Sequence, residues 1–521
     1  MYSSRMIRFL LGSVACMTSA AGAAPTLLDP TAMPATGKVD ERYLSYNVEM
    51  VEITGGSFWA PYAKPSDPAT DRPKGILSKR GPLDLKGNRR LRAMAAALGP
   101  AYVRVGGSWA NFTYFQDDDA PPRATPPKGF SGVLTRSQWA GLVDFTRATD
   151  SKIVTSFAVS SGTRDADRRW TPDQARRLIQ YTRALGASIY ASAFANEPNG
   201  APVGGKDYDA SAYARDVATY AAFLRSEAPE IKSLGPTSTN ADSEVRLVAK
   251  TNPAISTEAL LSAEPRTKLD IFAHNFYGAA SERCLSQGSE LLTSPDNALS
   301  EEWLARADKV NDFYRGLRDR FQSGAPIWIT ESGQAACGGD RWAATFLDTF
   351  RFTDQLGRLA RRGVQVVFHN TLAASDYALI DDTTWNPRPS YWSAVLWKRI
   401  MGSTVLDAGP FRPGLHIYAH CLRDRPGGVG LVAINLNRTG KEQLELPVEA
   451  SRFTLTADRL NAGTVRLKGR TLALTAEDAL PALNPVKVRK GRMTLPPASI
   501  SFLAMPGARN SACQSGSVPV S

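Results

Sequence analysis

Two glutamates stand where paired carboxylates could do nucleophilic and acid–base chemistry. Glu197 lies in Phe194-Ala195-Asn196-Glu197-Pro198-Asn199, closing an apolar run. Pro198 removes a backbone donor and biases Glu197 away from helical geometry, which holds its carboxyl at the end of the run. Asn196 beside it can both donate and accept hydrogen bonds. Glu331 lies in Pro326-Ile327-Trp328-Ile329-Thr330-Glu331-Ser332-Gly333. A carboxylate at the end of so apolar a segment is costly to bury unless it is paired or used. Each glutamate alone has an ordinary reading, a side chain satisfied by nearby amides. Together, two carboxyls about 5–5.5 Å apart define retaining glycoside hydrolysis. Glu331 would attack an anomeric carbon. Glu197 would protonate the leaving oxygen and then deprotonate a water. Each nearby carboxylate raises the other's pKa, which keeps Glu197 protonated at rest. This chemistry calls for no cofactor and no metal, and His274, His369, His416 and His420 lack zinc-type spacing.

Such a pair needs a scaffold that brings distant segments to one rim. Eight short apolar segments fit it: Tyr43–Ile53, Ala101–Val105, Ile153–Val159, Ser188–Ala195, Ile231–Gly235, Leu269–Phe276, Ile327–Thr330 and Val364–His369. They read as buried strands. Helix candidates lie between them at Arg89–Leu98, Tyr208–Arg225 and Trp342–Arg361, and after Thr171, with Thr171 as N-cap and Pro172 in the first helical position. The alternation predicts an α/β fold, a closed (β/α)8 TIM barrel over residues 43–400. An open doubly wound sheet is the alternative, but Val105-Gly106-Gly107-Ser108 lacks the spacing of a phosphate turn. Glu197 and Glu331 close the fourth and seventh segments, whose ends meet at the barrel mouth. After Met401 the texture changes to short strands at His416–Leu422, Val429–Leu436, Phe453–Leu455, Val465–Leu467, Leu472–Leu474 and Ile500–Met505. These predict a C-terminal antiparallel β-sandwich over residues 401–521.

The chain's 521 residues suit a barrel of about 250 residues plus a second domain. Residues 1–24 read as a signal peptide: Arg5 and Arg8, an apolar Phe9–Met17, and a small-residue cleavage site near Ala23 and Ala24. Secretion or periplasmic export follows as an expectation. Lipid anchoring at Cys16 is not expected, because the match to a lipoprotein signal is loose. No later apolar run approaches the roughly 20 residues of a transmembrane helix. Beyond Cys16 the cysteines are Cys284, Cys337, Cys421 and Cys513, which allow three connectivities. Cys421 ends one sandwich strand and Cys513 follows the last, so that pair can pin the C-terminal tail. The formal charge of +12 favours polyanionic partners. Nucleic acid is not expected, since zinc-finger spacing and a basic heptad region are missing. A monomer is expected.

Several motifs occur in one order along the chain. They are Ala101-Tyr102-Val103-Arg104-Val105-Gly106-Gly107, Arg164 to Trp170, Asn196-Glu197-Pro198-Asn199, Glu331 with Cys337-Gly338-Gly339, Asp376 to Asp381 with Tyr391-Trp392, His420-Cys421, and Ala433 to Leu436. In these the chain resembles family 79 of the glycoside hydrolases, the heparanases and related β-glucuronidases. The resemblance spans nearly the whole mature chain. It implies a barrel with a sandwich that also draws on an N-terminal segment, here residues 25–42. It implies Glu197 as acid/base and Glu331 as nucleophile. Asn196 would bond the sugar 2-hydroxyl, and Tyr377 with the amides of Gly338 and Gly339 would hold a glucuronate carboxylate. Glu49 and Ser108 would contact sugar hydroxyls, with Glu49 where animal heparanases have aspartate. Arg104 would hydrogen-bond the nucleophile.

Departures from the family pattern matter too. Phe276 stands where a tyrosine is expected, which leaves open whether Tyr277 orients Glu331. Cys337 stands where relatives can have tyrosine; it follows the seventh segment as Cys284 follows the sixth, so Cys284–Cys337 and Cys421–Cys513 are the expected bridges. The segment Asn111–Ser137 is too short to contain the excised linker of animal heparanases, so one uncleaved chain is expected. The basic cluster after the fifth strand is missing, and Arg164, Arg168 and Arg169 are the remaining candidates for sulfate. The reading favours an endo-β-glucuronidase acting on heparan-sulfate-like or other glucuronate-containing glycans. The alternatives are an exo-β-glucuronidase of the same family, a noncatalytic polyanion-binding protein on a hydrolase fold, and a barrel hydrolase for neutral sugars.

Overall fold

The computed structural model describes residues 25–62, 76–200, 203–205, 207–247, 255–287 and 292–514. Residues 1–24, on which the signal-peptide expectation falls, and with them Cys16, lie outside the described residues. Eight parallel strands close into a barrel. They are β1 (Leu44–Asn47), β2 (Ala101–Val105), β3 (Ser151–Ser156), β4 (Ile189–Ala193), β5 (Lys232–Ser238), β6 (Ile271–Tyr277), β7 (Ile327–Gly333) and β8 (Val364–His369).

Side chains alternate between the two faces of each strand. One face builds a compact apolar plug inside the barrel from Tyr102, Val154, Ala191, Leu234, Ile271, Ala273, Trp328 and Phe368. The Tyr102 and Trp328 rings sit 5.0 Å apart there. The other face, with Val103, Val105, Phe272, Ile327 and Ile329, joins the helices in the main core. The same parity carries β2 and β6 past the plug to their polar ends. Asn47, Arg104 and Asn275 follow the inward residues and are fully buried at the mouth. The barrel's lower half is therefore packed solid, and chemistry is confined to the C-terminal rim.

Three local expectations are corrected. The first segment is a strand only over Leu44–Asn47; Met50–Thr54 is a short helix instead. The Glu49 N–H donates to the Glu52 carboxylate at 2.6 Å, which turns the chain as soon as it leaves the barrel. Thr171 is not an N-cap. The helix begins at Asp173 behind Pro172, and the Thr171 hydroxyl bonds the Thr163 carbonyl at 3.1 Å. No strand forms at Leu472–Leu474; Arg470–Thr471 pairs with Arg466–Leu467.

The C-terminal region is a sandwich of a nine-stranded and a three-stranded sheet. Thr26–Leu27 pairs with Glu442–Leu446 in the small sheet, and Ala35–Lys38 pairs with Met401–Leu406 in the large one. The N-terminal segment thus supplies a strand to each. Val429–Asn435 is buried at every residue, because its two faces have different partners. Leu431 and Ala433 pack toward the small sheet, whereas Val432 and Ile434 pack onto the barrel helices. At that junction the His416 ring bonds Asp354 at 2.6 Å and Glu301 at 2.9 Å, tying a sandwich strand to two barrel helices. Cys421–Cys513 is a disulfide that pins the residues after the last strand, and Cys284–Cys337 is a second. Among the described residues no helix is long and apolar enough to cross a membrane.

Candidate active site

The C-terminal ends of the strands surround a cleft of about 210 Å3 whose floor carries Glu197 and Glu331. Glu331 is 4% exposed, the last inward residue of β7. The register between β6 and β7 shifts by one residue after His274, so that Glu331 faces Asn275. Its two oxygens have different donors. Arg104 Nη1 reaches Oε1 at 2.9 Å, and the Tyr277 hydroxyl reaches Oε2 at 2.6 Å. A guanidinium and a phenol are thus both aimed at this one buried carboxylate.

Tyr277, not Phe276, is thus the tyrosine that holds Glu331. On β6 it shares the inward parity of Ile271, Ala273 and Asn275, whereas Phe276 lies in the outer core. Asn370, one residue past β8, donates to the Tyr277 oxygen at 2.9 Å and is itself held by Asn47 at 2.9 Å. Since Asn370 Nδ2 supplies a donor, the Tyr277 proton is directed to Glu331.

Glu197 sits in a different environment. It follows β4 with a φ of +47°, in the left-handed region that side chains rarely adopt. The strain sits at the cleft floor and swings the carboxyl into the opening. Asn275 Nδ2 donates to Oε1 at 3.0 Å, its orientation fixed by Thr330 Oγ1 donating to Asn275 Oδ1 at 2.8 Å. Burial first, and the Glu331 charge second, push the Glu197 carboxyl up to about 7. A carboxylate bonded by Arg104 and Tyr277 thus lies beside a carboxyl whose pKa is raised, an arrangement suited to acid catalysis next to a nucleophile.

Asn196 is brought into the same network. Its Oδ1 accepts from Arg104 Nη2 at 2.5 Å, so its amide N–H2 faces away from the arginine and toward the opening. Asn111 clamps the Asn196 backbone through both of its amide atoms, at 2.8 and 2.9 Å. Glu49 and Ser108 line the cleft as well. Burial, and then the Glu331 charge, hold the Glu49 carboxyl well above its usual range. Its Oε2 is buried with no hydrogen-bond partner, an acceptor or donor left for a ligand. Tyr377 lines the opposite wall; its oxygen accepts from Asn370 at 3.1 Å, which leaves the phenolic proton to donate.

The structure does not bring Gly338 and Gly339 to the cleft surface as a pair of free amides. The Gly339 N–H bonds the Ala335 carbonyl at 3.1 Å, closing the loop on itself. Ala336 and Cys337 form the surface, with Gly338 behind them against Trp59. Arg164 is also unavailable to a ligand: it is buried in an ion pair with Asp216 at 2.7 Å. Arg168 and Arg169 are exposed. Asn111, Asn275 and Asn370 carry no mark in the sequence reading. Asn275 shared its strand with His274 and Phe276 there, and its inward parity was the signal that could have found it. A larger hollow of about 820 Å3 opens at the N-terminal ends of the strands. The carboxylate among its lining residues, Asp270, is bonded to Ser233 at 2.8 Å, so the hollow holds no carboxylate pair.

Comparison with known proteins fits this geometry. The model of the glycosyl hydrolase family 79 N-terminal domain matches residues 79–234, which include β2, Arg104, Asn196 and Glu197. Over 476 residues the chain is 25% identical to heparanase-like protein 1 of Arabidopsis thaliana, covering 80% of this chain and 84% of the relative. Residues 79–234 thus resemble the N-terminal domain of glycoside hydrolase family 79. A further relative is baicalin-β-D-glucuronidase of Scutellaria baicalensis, 31% identical over 230 residues, covering 41% of this chain and 43% of that one. Among solved structures, a 4-O-α-L-rhamnosyl-β-D-glucuronidase from Fusarium oxysporum 12S superposes with a TM-score of 0.65. It covers 92% of this chain and 100% of its own at 14% identity, a likeness of fold. The chain is a glycoside hydrolase.

One glycine of the cleft can be tested directly. Gly107 has a φ of +78°, and a Cβ there would lie 1.5 Å from Glu49 Oε2. Gly107→Ala must displace Glu49 and also costs about 1–2 kcal/mol for a left-handed residue. We expect kcat/KM to fall at least about tenfold, the loss of roughly one hydrogen bond in the transition state. Thermal denaturation should show a lowered Tm. An unchanged kcat/KM would remove Glu49 from the site.

Proposed function

We propose that this enzyme hydrolyses β-glucuronides with retention of configuration, Glu331 being the nucleophile and Glu197 the acid/base. The observation that carries the reading is the asymmetry of the two carboxylates on one cleft floor. Glu331 is held by Arg104 and Tyr277, whereas Glu197 is bonded by the neutral groups of Asn275 and Thr239 and its pKa is pushed up to about 7. In the first step a Glu331 oxygen bonds to the anomeric carbon as the glycosidic C–O bond breaks, and Glu197 delivers its proton to the departing oxygen. In the second, Glu197 takes a proton from water. The water oxygen bonds to the anomeric carbon and the bond to Glu331 breaks. Asn196, oriented by Arg104, would bond the sugar 2-hydroxyl as charge develops.

Tyr377 supports a uronic acid as the sugar, because its free phenolic proton is a donor suited to a carboxylate. The names of the relatives, heparanase-like protein and baicalin-β-D-glucuronidase, point the same way. The test compares kcat/KM on an aryl β-glucuronide and the matching aryl β-glucoside. We expect the glucuronide to win at least about tenfold, the worth of one hydrogen bond to a charged group. Equal rates, or preference for the glucoside, would reject the uronate assignment.

The size of the cleft favours a second reading against internal cleavage. About 210 Å3 is below the roughly 300–1,000 Å3 of pockets for drug-sized ligands. Trp59 and Trp109, edge to face at 6.2 Å, wall the side carried by β1 and β2. Room for about one sugar ring supports trimming from a chain end. Products sized over time from a glucuronate-containing polysaccharide separate the two: monosaccharide alone means end-trimming, large early fragments mean internal cleavage. The two disulfides suit an oxidising compartment, and with the leader-like residues 1–24 they support export.

A further inference from the structure

We propose that Arg283, which lies outside the cleft, is the positioning residue that sets the wall for sugar-acid recognition. It clamps the Cys337–Gly339 turn and the Asp376–Tyr377 segment to the Trp59–Ala60 segment. The inference rests on the uronate reading above and names a residue that this selectivity depends on. Arg283 has a side chain with no exposed surface, on the loop after β6. Its guanidinium is bonded on every side. Nε donates to the Ala60 carbonyl at 2.6 Å, directly after Trp59. Nη1 donates to the Cys337 carbonyl at 3.2 Å, to the Gly339 carbonyl, and to Ser281 Oγ at 3.3 Å. Nη2 pairs with Asp376, the residue before Tyr377. The Tyr62 ring covers the guanidinium with its centroid 3.9 Å away.

Three independent segments therefore converge on one cation carried by a fourth, and each abuts a cleft residue: Trp59, Cys337 or Tyr377. The next residue along, Cys284, is bonded covalently to Cys337, so the turn is held from two adjacent positions. The segments also bond one another. The Asp376 N–H meets the Gly338 carbonyl at 3.1 Å, and the Tyr62 N–H meets Asp376 at 3.2 Å. Only a planar fork with five donors can reach these acceptors at once; a lysine has a compact head and rotating donors. Glu331, Glu197, Arg104 and Asn196 make none of these bonds. Loss of Arg283 should therefore loosen the wall that recognises the acid and leave the reacting carboxylates in place.

The experiment measures kcat and KM on p-nitrophenyl β-glucuronide and p-nitrophenyl β-glucoside for the full mature enzyme, Arg283→Gln, Arg283→Lys and Asp376→Asn. Glutamine should raise KM for the glucuronide by about tenfold or more, with kcat held within about threefold and kcat/KM for the glucoside nearly unchanged. Lysine keeps the charge and should restore part of the selectivity. Asp376→Asn removes the cation's partner and should lower selectivity as glutamine does; it reads the clamp even if Arg283→Gln does not fold. A glucuronide-to-glucoside ratio that stays at the wild-type value in these variants overturns the proposal, as does an equal fall on both substrates. The wild-type ratio is a separate readout. If the wild type does not favour the glucuronide, the uronate reading fails, whatever the variants do.

Discussion

Glu331→Gln should lower kcat on an aryl β-glucuronide by at least about 10^4-fold, the scale seen when one member of a catalytic unit is removed. An amide cannot form the bond to the anomeric carbon, so the route through a glycosyl-enzyme is closed. The fold should survive, because glutamine still offers an oxygen to Arg104 or to Tyr277. Some stability must be lost. Arg104 is 1% exposed, and a buried cation whose ionised partner is removed is destabilised by up to about 3–5 kcal/mol. A lowered Tm with a native circular-dichroism spectrum is the expected companion result. Glu331→Ala leaves space beside the anomeric carbon, so added azide should restore turnover and yield the product of single inversion. Turnover above about one hundredth of wild type in the Gln variant would mean another group attacks.

Glu197→Gln should have the next largest effect, roughly 10^2- to 10^4-fold on substrates with poor leaving groups, the usual worth of a positioned acid. Dinitrophenyl glucuronide, whose leaving group needs no proton, should lose far less in its first step. The pH profile supplies the sign. With its carboxyl pushed from 4.5 to about 7, Glu197 holds its proton below that point, so wild-type kcat/KM should fall as pH rises through about 7. The glutamine variant should lack that alkaline limb, and a limb that persists would assign the acid elsewhere. The same shift bears on stability. The folded state binds this proton more tightly than the unfolded chain, so this site removes stability as pH climbs from about 4.5 to 7.

Much of this arrangement can be read from local pattern. Strand–helix alternation gives the barrel, because short buried strands separated by helices have few ways to close. Glu197 and Glu331 stand out because each ends an apolar run, where a charge needs a reason. Cys284, Cys337, Cys421 and Cys513 belong to positions beside strands, and both expected bridges are present. The misreadings have local causes. The Glu442–Leu446 strand reads Glu-Gln-Leu-Glu-Leu, with Leu444 and Leu446 buried, too little apolar alternation to stand out. The first barrel strand was drawn too long because Met50, Val51 and Ile53 are as apolar in a buried helix as in a strand.

The residues that tune the site were not visible in this way. Asn111, Asn275 and Asn370 are ordinary amides until the barrel brings them to Asn196, Glu197 and Tyr277. Choosing Tyr277 over Phe276 needs strand parity and the register shift against β7, which adjacent strands fix between them. Arg283 reads as one basic loop residue among many until three other segments fold onto it. The sequence by itself determined which carboxylates could react and on what kind of scaffold, because burial and periodicity are local properties. The raised pKa of Glu197, and which segments wall the cleft, were decided only by the tertiary structure. Desolvation and hydrogen-bond donors come from residues far apart in the chain.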